Sequence, residues 1–372
     1  MKFNYLYMRG RVGLSKILSG LGVCPGDHVA LQAFTCSAVP EAVYAVGAIP
    51  VYIDIEENGV NMCPVKLQNC LKENHRIKAI IVQHTFGIPA AMDKFFLTCQ
   101  KYNIPLIEDC CHTLDSSFDG KIVGSWASAA FYSFEWGKPI VAGMGGAVKT
   151  KDTDLLAYLK NDFELLSEPS LIQNLKNLIQ LLFFKLFYRP RFYWFLKDAF
   201  HSLSRLGLAT GNYPDEDIGF GQKASKEFTM KMPIINRYQL SLSVKNYTQD
   251  LHHRKKIGDL YLKEFRSNNK DMVMLVKTPV NTDICYSRFP ILVSNKKLLL
   301  ERARHHHIEI ASFFDSPIHP LETADLEMVG YEIGACPNAE ALCQQLISLP
   351  INKNITSAYV KHVFSFVTSS LP

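Results

Sequence analysis

Short apolar runs alternate with helical patterns along the first 150 residues of the chain. Residues 79–82 and 104–107 are apolar runs of the kind found in buried strands, and a third strand is predicted at 129–134. Apolar positions between 12 and 21 recur at helical spacing, and residues 92–102 are predicted to form the helix between the first two of these strands. Because strands and helices alternate, the pattern predicts an α/β fold with a mostly parallel sheet.

Three reactive side chains follow the predicted strands. Asp109 lies just past the end of the strand at 104–107, Ser133 lies within the last strand, and Lys138 lies in the turn that follows it. In an open α/β sheet, ligands gather outside the carboxyl ends of the strands. We therefore expect an acid, a hydroxyl and an amine at one rim of the sheet.

An acid, a hydroxyl and an amine are the groups that pyridoxal phosphate requires. A lysine amine forms the Schiff base with the aldehyde of the cofactor. A carboxylate that faces the ring nitrogen keeps it protonated, so the ring can act as an electron sink. Hydroxyls and backbone N–H groups hold the phosphate. The pattern therefore predicts a pyridoxal phosphate site that contains Asp109, Ser133 and Lys138.

The order and spacing of these residues resemble the DegT/DnrJ/EryC1/StrS family, the sugar aminotransferases of fold type I. Residues 108–112, Glu-Asp-Cys-Cys-His, match the family's acidic pair followed by two small residues and Gln or His. Lys138 stands five residues after Ser133, as in the family, and Gly145-Gly146 matches the glycine-rich turn. The resemblance covers nearly the whole chain apart from about 160–225.

The resemblance implies two domains. A large pyridoxal phosphate-binding domain, with a mostly parallel mixed sheet flanked by helices, is expected over residues 1–248 and contains a helical insertion at about 160–225. A smaller α+β domain is expected over residues 249–372. Within it, the sequence predicts strands at 286–293 and 308–311.

The resemblance also assigns roles to individual residues. Lys138 would hold the cofactor and move the proton as general base and acid, Asp109 would keep the ring nitrogen charged, and His112 would orient the ring near its phenolic oxygen. Ser133, Gly10 and Arg11 are expected to bind the phosphate. Arg11 stands where the family has threonine.

Four further positions are singled out by the resemblance. Cys36 occupies the position at which many relatives carry an aromatic residue stacked on the ring. Thr229 aligns with an asparagine that reaches the phosphate of the neighbouring subunit in relatives. His84 and His319 are candidate substrate contacts, although a hydrogen-bonded loop histidine is the simpler interpretation of each.

The implied reaction is amino transfer, with glutamate as donor, to a nucleotide-linked keto sugar that serves glycan or secondary-metabolite biosynthesis. Relatives form homodimers with active sites at the interface, so a homodimer is expected. One alternative is a sugar dehydratase that uses the amine form of the cofactor, but members of that branch replace the lysine with histidine. A second alternative is a catalytically silent regulatory or binding protein, motivated by Cys36, by Thr229 and by the short stretch before the first helix.

Composition excludes some partners. The 372 residues carry a net charge of +5 and contain no basic tract of the kind that nucleic acid requires. Ten cysteines occur without a CxxC or zinc-type spacing, so reduced thiols in a cytoplasmic protein are expected. The run His305-His306-His307 has no carboxylate or cysteine at ligand spacing, which favours a solvated helix end and no metal site.

The insertion is strongly apolar between residues 171 and 200 but is interrupted by Lys176, Lys185, Arg189 and Arg191. No uninterrupted stretch therefore approaches the roughly 20 residues that a bilayer crossing needs. Two interpretations stay open: a helical lid or subunit contact with buried aromatics, or a helix on a membrane surface. In the second, Phe183, Phe184, Phe192 and Trp194 would form an exposed face. Packing is the expected arrangement, because large apolar patches are rarely left in water.

Overall fold

A computed structural model of the protein describes residues 3–113, 115–205, 225–267 and 273–371. Its strands are β1 (Tyr5–Tyr7), β2 (His28–Gln32), β3 (Thr35–Cys36), β4 (Ile49–Ile53), β5 (Ile77–Gln83), β6 (Leu106–Asp109), β7 (Ser117–Phe118), β8 (Lys121–Ile122), β9 (Ala129–Ser133), β10 (Gly146–Thr150), β11 (Val273–Leu275), β12 (Thr282–Asp283), β13 (Arg288–Val293), β14 (Ile318–His319) and β15 (Leu346–Pro350).

Its α-helices are α1 (Gly10–Gly20), α2 (Ala38–Tyr44), α3 (Pro64–Glu73), α4 (Met92–Tyr102), α5 (Thr153–Leu165), α6 (Leu171–Phe187), α7 (Tyr193–Arg205), α8 (Ile234–Lys245), α9 (Tyr247–Ser267), α10 (Lys296–His305), α11 (Pro337–Gln345) and α12 (Ser357–Ser370). Segments of 3₁₀ helix lie at Thr85–Gly87, Pro190–Phe192, Lys226–Thr229 and Thr323–Val329.

The main sheet has seven strands in the order β1-β10-β9-β6-β5-β2-β4. The five strands from β9 to β4 are parallel to one another, whereas β10 runs antiparallel to both β9 and β1. The predicted α/β class with a mostly parallel mixed sheet is confirmed. Because β5, β6 and β9 are parallel neighbours, their carboxyl ends lie at one edge of the sheet.

Helices cover both faces of this sheet. In β5, Ala79 and Ile81 pack in the cluster that contains α1 and α2, whereas Ile80 and Val82 pack in the cluster that contains α3 and α4. Side chains alternate between the two faces of a strand, so a strand buried on both faces is apolar at every position. This explains why the sequence shows continuous apolar runs at the central strands.

A second sheet forms in the C-terminal part of the chain, where β11, β13 and β15 are antiparallel. The strand predicted at 308–311 is wrong: only Ala311 pairs, through an isolated bridge to Ser348. The backbone N–H of Glu309 donates to the Tyr359 hydroxyl at 3.0 Å, and the N–H of Ile310 donates to the Ile308 carbonyl. These bonds take the segment out of strand geometry, and β15 supplies the third strand.

The described part of the insertion, up to residue 205, is mostly helical, and one side of it packs on the rest of the chain; residues 206–224 lie outside the described residues. Leu181 and Trp194 are buried, and the indole N–H of Trp194 donates to the Ile308 carbonyl at 2.8 Å. Phe184 packs against Trp136, with ring centroids 4.4 Å apart. Phe184 and Trp194 therefore do not belong to the exposed face that one interpretation predicted. In the described residues, no helix is both long and apolar enough to cross a bilayer.

Candidate active site

One pocket lies at the edge of the main sheet where the parallel strands end. Gln83 ends β5, Asp109 ends β6 and Ser133 ends β9, and Gln83 is the register partner of Asp109. All seven residues predicted to bind the cofactor line this pocket, namely Gly10, Arg11, Cys36, Asp109, His112, Ser133 and Lys138. Among the described residues, it is therefore the pocket at which the predicted chemistry converges.

Asp109 is a buried carboxylate in the wall of the pocket. The backbone N–H of Cys111 donates to its Oδ1 at 2.9 Å. Burial raises the pKa of Asp109, while the Cys111 N–H and the charge of Lys138 act in the opposite direction. A cation placed against this carboxylate would favour its ionised form, which is the property required of a partner for a protonated ring nitrogen.

His112 is a neutral hydrogen-bond donor. Burial, together with the nearby charge of Lys138, lowers its pKa well below the usual value. The backbone N–H of Phe86 donates to Nδ1 of His112 at 3.3 Å, and the two rings stack with centroids 5.9 Å apart. A neutral imidazole has one donor and one acceptor nitrogen, so the proton resides on Nε2.

Lys138 is presented by a tight turn after β9. Gly137, immediately before it, has a φ of 80°, a left-handed conformation that favours glycine. The Lys138 N–H donates to the Glu135 carbonyl at 3.3 Å, and the Pro139 carbonyl accepts a hydrogen bond from Arg254 on α9 at 3.1 Å. Hydrogen bonds therefore fix the backbone of the turn before and after the half-buried lysine.

The N-terminus of α1 forms another side of the pocket. Its N-cap residue, Arg9, makes no side-chain capping bond, and no acidic residue lies in the first turn. A Cβ on Gly10 would lie 3.2 Å from the Tyr132 carbonyl oxygen and 3.3 Å from Cβ of Ser133, so glycine lets the helix end approach β9 closely. Backbone N–H groups and a partial positive charge make such a terminus suitable for an anion.

Two arginines with carboxylate partners surround this helix terminus. Arg9 is buried and donates to Glu135 at 2.8 Å and to Glu227 at 2.6 Å, whereas Arg11 pairs with Glu41. Burial by itself would raise the pKa of Glu135, but the charges of Arg9 and Arg11 outweigh it and lower that pKa. Glu135 is thus an ionised pocket residue that the sequence analysis missed.

The wall beside Cys36 is built by the C-terminal part of the chain. β3 pairs in parallel with β14, so His319 is the register partner of Cys36. Phe314 also lines the pocket and packs on Phe34 with ring centroids 4.4 Å apart. His319 accepts a hydrogen bond from the Asp315 N–H at 3.4 Å, and burial lowers its pKa to about 4. It lies next to the pocket wall and is not a lining residue.

His84 does not line the pocket, and its surroundings agree with the hydrogen-bonded histidine that was the simpler interpretation of the sequence. It is completely buried, with Nε2 3.2 Å from Glu108 and Nδ1 accepting from the Ala90 N–H at 3.2 Å. Neighbouring residues at a strand end point to opposite faces, so Gln83 faces the pocket and His84 faces away. Glu108 in turn accepts backbone N–H groups from residues 124, 126 and 127.

His84, Glu108 and Cys110 bring possible ligand atoms within 4.8 Å of one another. The Glu108 oxygens already accept three backbone N–H groups, and Glu108 also pairs with His84. These hydrogen bonds explain the cluster without a metal ion, since Glu108 holds the loop that precedes β9.

Thr229 lies outside the pocket in the single chain. Its hydroxyl donates to the Lys226 carbonyl at 2.9 Å within a 3₁₀ turn. The predicted contact with the phosphate of a neighbouring subunit stays a prediction.

Named curated relatives match about two fifths of the chain. The L-glutamine:2-deoxy-scyllo-inosose aminotransferase of Streptomyces fradiae is 32% identical over 162 residues, 43% of this chain and 38% of that protein. The UDP-N-acetyl-3-dehydro-alpha-D-glucosamine 3-aminotransferase of Acidithiobacillus ferrooxidans is 35% identical over 152 residues, 41% of each protein. The matched segments thus span less than half of the length of these relatives.

Solved structures match over nearly the whole chain. DesV of S. venezuelae, determined in complex with a ketimine intermediate, superposes with a TM-score of 0.72 at 22% identity and covers 98% of this chain and 84% of DesV. DesI, determined in the presence of its TDP-sugar product, gives a TM-score of 0.70 at 18% identity over 98% of this chain and 79% of DesI. These likenesses establish the fold.

The family is established by the sequence over most of its length. Residues 9–169 and 215–368 match one family, and only residues 170–214, within the insertion, and the two ends fall outside. The first matched range contains the pocket residues from Arg11 to Lys138, and the second contains Phe314 and His319. The chain belongs to the DegT/DnrJ/EryC1/StrS aminotransferase family.

Proposed function

We propose that the protein is an aminotransferase that moves an amino group from an amino acid to a nucleotide-linked keto sugar. The observation that carries the proposal is the convergence of Lys138, Asp109 and Ser133 with the N-terminus of α1 in one pocket. Membership of the family gives pyridoxal phosphate as the cofactor. The relatives named above act on an inosose and on a UDP-linked sugar, which supports a sugar ketone as acceptor.

The charges of the pocket fit pyridoxal phosphate. Lys138 would hold it covalently through Nζ, and the buried carboxylate of Asp109 would face the ring nitrogen. Nε2–H of His112, whose Nδ1 is occupied by the Phe86 N–H, would be the donor for the phenolic oxygen. At the other end, Ser133 and the N-terminus of α1, with the cation of Arg11, would hold the phosphate dianion. When bound, the cofactor supplies an electron sink for the carbon from which a proton is removed.

Lys138 is placed to move the proton. Once the amine of the amino donor has displaced it from the cofactor, the freed Nζ would take the proton from the donor's α-carbon and return it, acting as general base and then as general acid. The reverse sequence on the keto sugar would complete the transfer. The turn anchored through Pro139 and Arg254 fixes the backbone from which this amine extends.

Glutamate is the proposed amino donor, and the name of the Streptomyces fradiae relative makes L-glutamine a second donor to test. A homodimer is proposed as the assembly. A second subunit would bring its own Thr229 segment toward the phosphate, in keeping with the position that this residue shares with the relatives' asparagine.

A substrate panel tests the proposal. The holoenzyme is incubated with glutamate or glutamine and with UDP-linked and TDP-linked 3-keto and 4-keto sugars, and the amino sugar products are identified by mass spectrometry. We expect amino transfer to at least one nucleotide-linked sugar, with loss of transfer in Lys138→Ala. Transfer only to simple α-keto acids, or no transfer by a cofactor-loaded enzyme, would refute the assignment.

A further inference from the structure

The outer face of α6 is exposed and apolar. It consists of Leu171, Ile172, Leu175, Ile179, Leu182, Phe183 and Leu186, which are between 43% and 88% exposed. An α-helix turns by about 100° per residue, so these seven side chains occupy a continuous arc of about 120°. The buried residues Asn177 and Leu181 lie on the opposite side of the helix. We call the exposed arc the α6 face.

Basic residues border the α6 face. On the same projection, Lys176 and Lys185 lie within about 40° of its two edges, one on each side. Both lysines are exposed, as are Arg189 and Arg191 just beyond the helix. Phe192 and Phe195 continue the exposed apolar surface past the end of α6. Residues 171–197 contain five basic and no acidic residues, so this segment carries as much net charge as the whole chain.

We propose that the α6 face docks on an anionic lipid surface. A helix with an apolar arc flanked by lysine and arginine, and with leucine and phenylalanine in that arc, has the composition of helices that lie in the interfacial plane of a bilayer. Lysine side chains at the two edges can extend along the apolar surface while their ammonium groups remain at the headgroups. The α6 face is thus complementary to lipid in both hydrophobicity and charge.

The charge distribution favours lipid over a second copy of the chain. A symmetric contact between two α6 faces would place the same lysines on both sides of the interface. The segment 171–197 offers no carboxylate to pair with them. Like charges brought together in an interface oppose association, whereas an anionic membrane attracts each of them.

Docking through the α6 face would leave the body of the fold intact. The inner side of α6 already contacts the sheet domain through Leu181, through the Phe184 ring on Trp136 and through the Asn177–Asn236 hydrogen bond of 3.0 Å. Trp136 is two residues from Lys138, so the lipid surface would lie on the side of the protein from which the lysine turn is buttressed. The proposal is independent of which sugar the pocket accepts.

Vesicle co-sedimentation tests the proposal on the full-length holoenzyme. We use vesicles of phosphatidylcholine alone and of equal parts phosphatidylcholine and phosphatidylglycerol. Binding is expected only to the anionic vesicles, and high salt should release the protein because the Debye length falls to about 3 Å at 1 M. The readout requires no turnover, so failure here leaves the proposed reaction untouched.

Two variants probe the two components of the α6 face. Lys176→Glu/Lys185→Glu removes the flanking charge, and each basic residue near an anionic surface contributes a factor of about 5, so binding should weaken roughly 25-fold or more. Ile179→Ser/Leu182→Ser removes apolar contact and should also abolish sedimentation. Because all four residues are exposed, neither variant should change the melting temperature measurably.

Matched controls lie on other surfaces of the chain. Lys78→Glu/Lys94→Glu makes the same charge change at two exposed lysines, and Leu97→Ser removes an exposed leucine of α4. Both controls should bind anionic vesicles as the wild type does. The proposal would be overturned if a control variant lost as much vesicle binding as the corresponding variant of the α6 face. It would also be overturned if the wild type did not bind anionic vesicles at low salt.

Light scattering after size exclusion distinguishes lipid from a second copy. The proposal predicts the same oligomeric state for the wild type and for Ile179→Ser/Leu182→Ser. If this variant dissociates an oligomer that the wild type forms, the α6 face is a subunit interface and the lipid proposal is wrong.

Discussion

The backbone N–H of Phe86 donates to Nδ1 of His112 at 3.3 Å and thereby makes Nε2 the donor atom of that imidazole. The same contact stacks the two rings, so the orientation of His112 is fixed by a residue from the end of another strand. Burial and Lys138 keep the ring neutral by lowering its pKa. Donor identity and protonation state are therefore both set before any ligand binds.

Replacing His112 tests this donor. His112→Ala should lower kcat about tenfold to a hundredfold, because a hydrogen bond to a charged oxygen is worth about 1.5–3 kcal/mol. His112→Gln retains an N–H donor and should keep most of the activity. Since the pKa of His112 lies well below 6.5, the residue stays neutral between about pH 6 and 8. Its titration should therefore cause no change in the rate of the wild type over this pH range. Equal activities of the Ala and Gln variants would contradict the donor role.

Lys138 should be the site of covalent attachment. After borohydride treatment of the holoenzyme, peptide mapping is expected to find the cofactor on Lys138, and Lys138→Ala should carry no label. Loss of this general base and acid should lower kcat by about 10²–10⁴-fold even if the variant still binds the cofactor. If the label were found on another lysine, or if Lys138→Ala turned over as fast as the wild type, Lys138 would not be the catalytic lysine.

Asp109→Asn separates folding from catalysis. Burial raises the pKa of Asp109 in the fold, so the ionised form is destabilising: stability is highest below the unfolded value of about 3.9 and falls as pH rises through the folded pKa. The apo variant should therefore be at least as stable as the wild type at pH 7, and Oδ1 of the asparagine can still accept the Cys111 N–H.

Although Asp109→Asn should not lose stability, its catalytic turnover should fall. A neutral amide cannot hold a proton on the ring nitrogen by charge, and kcat should fall on the order of 10²–10³-fold. Thermal unfolding of the apo protein and single-turnover kinetics of the loaded enzyme give the two readouts. A variant that loses stability in proportion to activity would indicate a structural role only.

Much of the site could be predicted because it follows from buried parallel strands. Continuous apolar runs identified β5, β6 and β9, and the strand ends then placed Asp109 and Ser133 at one edge. His84 follows Gln83 at the end of β5, and alternation along the strand turns it away from the face that Gln83 presents. Applying this alternation to the sequence would have identified Gln83 as the pocket residue.

Other parts of the site leave little local signal in the sequence. The pairing of β3 with β14 joins Cys36 to His319, two strands of two residues each from distant parts of the chain. Such short strands show no periodicity, so Phe314 could not be placed beside Cys36. The sequence left the exposure of the insertion open and favoured packing, because a helix that is apolar on both sides is usually buried. The division of the chain near residue 248 stays a prediction.

The buried pair of Arg9 and Glu135 should stabilise the fold far more than a surface pair does. The two side chains are 6% and 11% exposed and meet at 2.8 Å. Arg9→Met leaves the Glu135 carboxylate buried without its principal partner, which typically costs about 3–5 kcal/mol of unfolding free energy. Arg237→Met, which breaks a pair with the exposed Glu168, is the matched control and should cost less than about 1 kcal/mol.

The pH dependence of Arg9→Met gives an independent check. Because Arg9 lowers the pKa of Glu135, the pair stabilises the wild type fully above the unfolded value of about 4.3 and loses this contribution as pH falls through the folded pKa. In the variant, burial dominates and Glu135 takes up a proton in the fold at higher pH. The difference in unfolding free energy between wild type and variant, measured in urea, should therefore be largest near pH 7 and should narrow toward pH 4. A difference that is independent of pH would show that the loss comes from packing of the arginine stem and not from its charge.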